Sequence, residues 1–217
     1  MTSIENLINI SSVNIGRTIK EESIEQDFYS LVLSQKFTKE ITEIIIKRNG
    51  FFTFESALHF FHYGKNAEND YNSLWWNDLR TWKEKYQNER LHSSFCFAQD
   101  GFGNQFCFDN GGIYIFDVET AEFEFISNSI EDWAKKVLDD FNFLTGFPLL
   151  HEWQLQNGPV KFGFRLIPKI PFCLGGEYSV ANLHAIESIK ALNWRAEICN
   201  QIKNLPDGAE IIFSQIE

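Results

Sequence analysis

Phe95-Cys96-Phe97-Ala98-Gln99-Asp100-Gly101-Phe102-Gly103-Asn104-Gln105-Phe106-Cys107-Phe108-Asp109-Asn110-Gly111-Gly112-Ile113-Tyr114-Ile115-Phe116 is the stretch that decides the fold class. Aromatic and β-branched runs broken by turn residues at hairpin spacing read as consecutive antiparallel strands. Asp100-Gly101-Phe102-Gly103 separates the first two runs, and Asn110-Gly111 separates the second from the third. Both central residues of a type I′ turn need positive φ, which Asn and Gly tolerate, and a turn there pairs Phe108 with Ile113 and Phe106 with Ile115. A fourth run follows at Glu122-Phe123-Glu124-Phe125-Ile126. With a five-residue loop from Asp117 to Ala121, Phe123 and Phe125 join the apolar face, leaving Glu122, Glu124 and Asp109 on an acidic one. Side chains alternate along a strand, so a one-residue change in that loop exchanges the two faces.

Working outward, residues 1–24 are polar with scattered isoleucines and read as an irregular or weakly helical arm, and residues 25–217 read as a single α+β domain. Phe28, Leu31 and Val32 fit one helical face. Thr38 is a candidate cap for a second helix with Ile41, Ile44 and Ile45 inward, stopped by Asn49-Gly50. Residues 64–73 are the clearest surface loop, and Leu74, Trp75, Leu79 and Trp82 suggest a helix entered through Ser73. Beyond the sheet, Ser129 caps a helix carrying Trp133, Val137 and Leu138, and Pro148 starts another that Asn157-Gly158 ends. Residues 165–186 read as extended, with Pro168 and Pro171 barring ordinary central-strand pairing. Ile189, Leu192, Ala196 and Cys199 share a helical stripe, and Pro206-Asp207-Gly208 turns into a last strand at 210–213. The expectation is a predominantly antiparallel central sheet, with strands near 95–99, 105–109, 112–117, 122–126 and 210–213 and helices packed against it.

Composition narrows the function classes. The chain has 217 residues, enough to bury roughly 70% of its unfolded surface. Twenty-two are Phe, which build packed sheets and carry no reactive group. No apolar run reaches the eighteen or so residues of a membrane span, and Met1-Thr2-Ser3-Ile4-Glu5 lacks the basic start of a signal peptide, which points to the cytoplasm. The irregularly spaced Cys96, Cys107, Cys173 and Cys199 read as free, mostly buried thiols. A formal net charge of −11 disfavours nucleic acid and anionic lipid, and a basic partner is its complement.

No motif assembles into a catalytic or metal centre. His151-Glu152 lacks a second histidine one helical turn on, because position 155 is Leu, and His59 with His62 supplies two ligands where zinc needs more. His92 and His184 stand apart. Gly101-Phe102-Gly103 lacks the third glycine of a dinucleotide fingerprint, and Gly175-Gly176 lacks the Lys-Ser/Thr of a phosphate-binding loop. Cys96 and Cys107 sit in strands, away from helix N-termini and bases that activate a thiol. Asp139-Asp140 closes a helix, and the tryptophans fall mostly on apolar stripes. The sequence therefore predicts no catalytic residue, no cofactor and no metal site.

Several segments in order resemble the SUKH superfamily, in the branch of bacterial proteins related to the yeast cell-wall-assembly regulator. They are Lys47-Arg48-Asn49-Gly50-Phe51-Phe52-Thr53-Phe54-Glu55-Ser56-Ala57-Leu58, then Phe97 to Phe106, then Leu144-Thr145-Gly146-Phe147-Pro148 with His151-Glu152-Trp153-Gln154. Ile167 to Phe172 with Leu174-Gly175-Gly176-Glu177-Tyr178, and Asn204-Leu205-Pro206-Asp207-Gly208-Ala209, complete the match. The resemblance implies helices on an antiparallel sheet, no cofactor and no transferable catalytic residue. Many bacterial members are immunity proteins encoded beside polymorphic toxins, often nucleases, and the fungal relative is a regulatory interaction protein. The expected function is thus non-enzymatic binding of a cognate basic toxin domain. A regulatory scaffold is the alternative and an unrecognised small hydrolase the second. From the surface argument alone, Asp100, Asp109, Glu122 and Glu124 are the expected contact residues.

Overall fold

The computed structural model describes all residues except 25, 33, 34, 65–70, 204, 207, 208, 210, 212 and 217, and the side chains other than those of these residues and of 26, 27, 31, 35 and 36. The chain order is α1 (Ser3–Asn9), α2 (Gln26–Val32), α3 (Gln35–Lys47), β1 (Phe51–Thr53), β2 (Leu58–Phe60), α4 (Ser73–Asn77) and α5 (Glu89–Ser93). Then come β3 (Phe95–Asp100), β4 (Gln105–Asp109), β5 (Gly112–Phe116), β6 (Phe123–Ser127), α6 (Ile130–Asp139), α7 (Phe141–Thr145) and α8 (Phe147–Asn157). The last elements are β7 (Phe164–Pro168), β8 (Leu183–Glu187) and α9 (Ser188–Ile202). This is an α+β fold: β1 to β6 form one antiparallel meander in sequence order, with helices packed against it, and β7–β8 form a separate antiparallel pair.

The Asn110-Gly111 turn does what its chemistry dictates. Asn110 (φ 45) and Gly111 (φ 78) both lie in the left-handed region, and the register pairs Phe108 with Ile113 and Phe106 with Ile115. In β3 a bulge lets Phe97 and Ala98 both enter the core with Phe106, Phe108 and Ile113, where α1, α2, α3 and α6 pack through Leu7, Phe28, Ile41, Ile44, Trp133 and Val137.

The β6 register differs from expectation by one residue. The ladder closes at the Asp117 N–H to Glu122 O bond, so the loop is 118–121; Phe116 pairs with Phe123 and Ile115 with Glu124. The cause is local: Asp117 Oδ1 accepts the N–H groups of Glu119 (2.8 Å) and Thr120 (2.9 Å), forming a side-chain turn while Asp117 remains in the ladder, and Ala121 completes the reversal at φ 57. Glu124 consequently lies on the side of Ile115, and Phe123 and Phe125 on the side of Tyr114, Phe116 and Asp109.

The expected acidic sheet face is also not an open surface. Residues of β3 and β4 are buried throughout, because Phe61, Trp76, Trp82, Tyr86 and Leu91 from the 61–91 region, with Leu192, Ala196 and Cys199 from α9, cover Cys96, Cys107 and Phe116. The sheet is the middle layer of three, and Trp76, Trp82 and Trp133 are core residues. The second cover comes from the segment directly before β3 and from α9 near the other end of the chain.

Other elements sharpen the boundaries. Residues 1–24 include a capped helix: the Thr2 side chain accepts the Glu5 N–H and the Glu5 carboxylate accepts the Thr2 N–H, the reciprocal box that stabilises an N-terminus. Glu131 of α6 accepts the N–H groups of Ser3 and Ile4, a negative charge against the positive end of α1. The α3 helix begins at Gln35, three residues before the expected Thr38, and α4 is capped by Asn72 and ends at Asn77, so Trp82 lies beyond it. Ser129 caps α6, Pro148 stands in the first turn of α8, and Gly158 ends it at φ 85, as their chemistry predicts. Residues 65–70 of the expected surface loop, and 207 and 208 of the expected turn, lie outside the described residues. So do 210 and 212 of the last expected strand; Ile211 and Phe213 are not in a strand, and Phe213 packs edge-on against Trp194 of α9.

Asn49 fastens the N-terminal segment to this frame. Its Oδ1 accepts the Tyr63 N–H (2.7 Å), and its Nδ2 donates to Tyr63 O (3.0 Å) and Arg17 O (2.7 Å), all from a residue 1% exposed. Asn49→Ala leaves these groups unpartnered in the interior, and we expect about 2 kcal/mol or more of lost stability, read as a lower urea midpoint. A midpoint unchanged within error overturns this role.

Candidate functional site

The 100–104 turn builds the site. Asp100 Oδ1 accepts the N–H groups of Phe102 (2.9 Å) and Asn104 (2.8 Å), and Oδ2 accepts the Asn104 side-chain amide (2.8 Å). The turn so fixed holds four neighbours: Gly101 N–H donates to Thr145 O at the end of α7, Leu166 N–H of β7 donates to Gly101 O, Asn104 Oδ1 accepts the Val118 N–H, and Arg195 of α9 donates to Phe102 O. The approach at Gly101 is close: a Cβ there meets Thr145 O and Leu150 Cδ1 at 3.0 Å, so a larger residue needs both to give way.

Between these neighbours lies a cleft of about 670 Å³, within the range of ligand-sized cavities. Five carboxylates line it, Asp100, Asp117, Glu119, Glu122 and Glu124, with Arg195 the cation among the lining residues. Phe102, Phe172 and Tyr178 form one wall, their ring centroids 5.1 to 6.0 Å apart. Phe143 of α7, 78% exposed, stands at the rim. Glu119, also in the lining, is 8% exposed: Oε2 accepts the Cys173 N–H (3.1 Å), while Oε1 is shut from solvent without a hydrogen-bond donor and forms an ion pair with Arg195, whose Nη2 lies 3.9 Å away.

Of the four residues expected from sequence, three converge here. Glu122 and Glu124 are exposed on the rim. Asp100 is buried and serves the turn; loss of solvent pushes its carboxyl up to about 6 against the bonds from Asn104 and Phe102, which favour the charged form. Asp109 is elsewhere, on the other side of the sheet, bound by Arg90 Nε at 2.7 Å while that guanidinium lies 4.3 Å from the Tyr114 ring centroid and 4.4 Å from that of Phe123. Asp117, Glu119, Arg195 and Tyr178 were missed. Asp117 and Glu119 stood in a loop read only for its length, and Arg195 and Tyr178 come from segments some sixty residues or more away.

The histidines singled out in the sequence lie outside the cleft lining. His151 Nδ1 contacts Glu55 at 2.8 Å, and His59 stacks on Phe52 and contacts Gln99 through Nδ1, its pKa held well below the usual value by burial. Burial lowers His62 to about 4. Among the described residues no group of three or more His, Cys, Asp or Glu is placed to hold a metal ion. Cys96, Cys107 and Cys199 are free and buried; Cys173 is exposed in the cleft, where partial burial and the Glu119 carboxylate push its thiol up to about 12. Among the described residues no helix is long and apolar enough to cross a membrane.

No protein-family profile matches this chain, and no curated protein matches it significantly. Among solved structures, the crystal structure of Atu4351 from Agrobacterium tumefaciens is similar, with a TM-score of 0.60 and 11% identity over 89% of this chain and 88% of that one. At this identity the likeness is one of fold.

Two outcomes follow from the shifted groups of the cleft. The Asp100 carboxyl is raised from 3.8 to about 6. Between those values the folded chain holds a proton that the unfolded chain has released, so this group's contribution to stability falls as pH rises from about 4 to about 6, by roughly 3 kcal/mol. The stability difference between wild type and Asp100→Asn should therefore change across that window and level off above it; a constant difference contradicts the assignment. Cys173 should alkylate slowly with iodoacetamide at pH 8, and Glu119→Gln, by removing the adjacent negative charge, should speed it severalfold. Equal rates contradict the Glu119 effect.

Proposed function

We propose that this chain is a non-enzymatic protein-binding domain of immunity type, which neutralises a cognate basic toxin domain by receiving it at the acidic cleft. The observation that carries this reading is the convergence of five carboxylates on one aromatic-walled cavity in a chain of net charge −11. A nuclease domain presents positive charge to approach phosphate, so complementary potential steers the two together and sets their register. The resemblance to SUKH immunity proteins supports the same reading. A regulatory scaffold differs from it in the partner and not in the surface used. A hydrolase built on the cleft would use a cysteine or a carboxylate: Cys173, raised to about 12 beside Glu119, is a poor nucleophile at neutral pH, and the Asp100 carboxylate is taken up by its three bonds within the turn.

The test is association with the toxin domain encoded by the neighbouring gene, across a salt series, for wild type, Glu122→Lys, Glu124→Lys and Asp109→Lys. Rim charges act mainly on the association rate, and screening removes the effect. We expect Glu122→Lys and Glu124→Lys each to slow association about tenfold at low salt and much less near 0.5 M. Asp109→Lys should leave the rate within about twofold, since that site lies across the sheet. Rates at low salt that ignore the two rim substitutions overturn the cleft as the docking site.

A further inference from the structure

Cys96 of β3 and Cys107 of β4 stand directly opposite each other in the ladder, and their Sγ atoms approach to 3.0 Å. Opposite residues of antiparallel strands have Cα atoms about 4.5 to 5.5 Å apart, inside the span that a disulfide tolerates. A disulfide bond is about 2.05 Å long, so the two sulfurs need to close by about 1 Å. Both residues are fully buried, in the core cluster that holds Trp76, Trp82 and Phe116. The basic group that no sequence pattern set beside them is Lys83, 1% exposed. Its Nζ donates to Asn77 Oδ1 (2.8 Å) and Ser94 O (2.6 Å), and the same Asn77 Oδ1 accepts the Cys96 N–H (2.8 Å). Among the described residues Lys83 forms no ion pair with a carboxylate, and a buried ammonium is costly without a counter-charge. A thiolate at Cys96 supplies one. Burial opposes that thiolate, but the Cys107 hydrogen bond and the Lys83 charge outweigh it and hold the Cys96 thiol below its usual pKa; burial and the same bond push Cys107 well above. Asn77, Lys83 and Ser94 also line a pocket of about 100 Å³, room for a molecule the size of a peroxide.

We propose that Cys96 and Cys107 form a reversible dithiol–disulfide pair, oxidised by hydrogen peroxide, which joins the two strands that carry the Asp100–Asn104 turn. Cys96, as thiolate, attacks one peroxide oxygen; the O–O bond breaks, the sulfur becomes a sulfenic acid, and the departing hydroxide leaves as water with the proton that Cys96 gave up. The Cys107 sulfur then attacks the sulfenic sulfur, the S–O bond breaks, and a second water leaves with the Cys107 proton. Two thiols lose two electrons, and one peroxide gains them and ends as two waters. A thiol reductant reopens the bond by exchange and is itself oxidised to a disulfide. Lys83 is a positioning residue, acting through its charge on Cys96. The cross-link constrains the unfolded chain, so the oxidised protein is the more stable form, and the turn that builds the cleft lies within the closed ring. This device goes beyond the binding role and does not depend on what the cleft receives.

The test uses the full chain carrying Cys173→Ser, which removes the exposed thiol. Fully reduced protein is exposed to hydrogen peroxide at several concentrations in native buffer, quenched with catalase, unfolded in iodoacetamide and mapped by non-reducing peptide mass spectrometry. The expected product is a peptide pair joined through Cys96 and Cys107, two hydrogens lighter than the free pair, formed at a rate proportional to peroxide and lost again in dithiothreitol. In Cys107→Ala the reaction should stop at a sulfenic acid that dimedone traps on Cys96, whereas Cys96→Ala should leave Cys107 without adduct. Oxidised protein should unfold at a higher urea midpoint than reduced protein. Lys83→Met should slow the peroxide step about tenfold near pH 7 and move its pH midpoint upward, and Lys83→Arg, which keeps the charge, should recover most of the rate. Quantitative alkylation of both Cys96 and Cys107 after peroxide treatment overturns the pair. So does linkage at a rate independent of peroxide, which marks oxidation through unfolding, or a lower urea midpoint for the oxidised form. These three measurements need no Lys83 variant; a pH profile unchanged in Lys83→Met overturns the part given to Lys83.

Discussion

The Asp100 carboxylate, shut away from water, gathers the N–H groups of Phe102 and Asn104 and the Asn104 amide, and the turn they fix ties together segments that are far apart in the chain. Through Gly101 it reaches α7 and β7, through Asn104 the loop after β5, and through the Phe102 carbonyl α9. A charged group in this position is disfavoured by burial, and the raised pKa records that cost; three short bonds to the same carboxylate offset it. The same residues form one end of the cleft, so the bonds that position the cleft walls relative to one another are also part of its lining.

The layered core explains why the exposed carboxylates of the sheet lie at this one end. With α1, α2, α3 and α6 on one face and the Trp76–Tyr86 region with α9 on the other, the central strands have no polar face to display. Only β6, at the edge of the sheet, carries exposed positions, and there the alternation sets Glu124 toward the cleft and Phe125 outward to the other side. Asp109, on that other side, is neutralised by Arg90, whose guanidinium is held between two rings. Charge at Asp109 is spent inside the structure; charge at Glu122 and Glu124 remains available to solvent.

Much of this architecture was legible in the sequence because it depends on short-range chemistry. Asn110-Gly111 admits the left-handed conformations of a tight hairpin and thereby set the β4–β5 register correctly, and Ser129, Pro148 and Gly158 marked helix ends through their own caps and backbone limits. The β6 register was not legible from loop length, because the Asp117 side chain mimics a turn and shortens the loop by one residue. The cover on the second sheet face was missed for a different reason: it depends on the packing of α9 and the Trp76–Trp82 region against β3 and β4, which no local pattern encodes. Asp100, Glu122 and Glu124 were selected for their charge and do meet in the cleft, though Asp100 does so as the organiser of a turn. Glu119 and Arg195 lay outside any motif, since the signal that distinguishes them is burial.

That one buried carboxylate holds the cleft walls together is the claim on which the rest stands, and native-state amide hydrogen exchange on wild type and Asp100→Ala tests it most directly. If the claim holds, the amides of Gly101, Leu166 and Val118, which reach α7, β7 and the loop after β5, lose protection together with those of Phe102 and Asn104, while the Phe106 and Phe108 amides of β4 keep theirs. Loss confined to Phe102 and Asn104, with Gly101, Leu166 and Val118 as protected as in wild type, contradicts it.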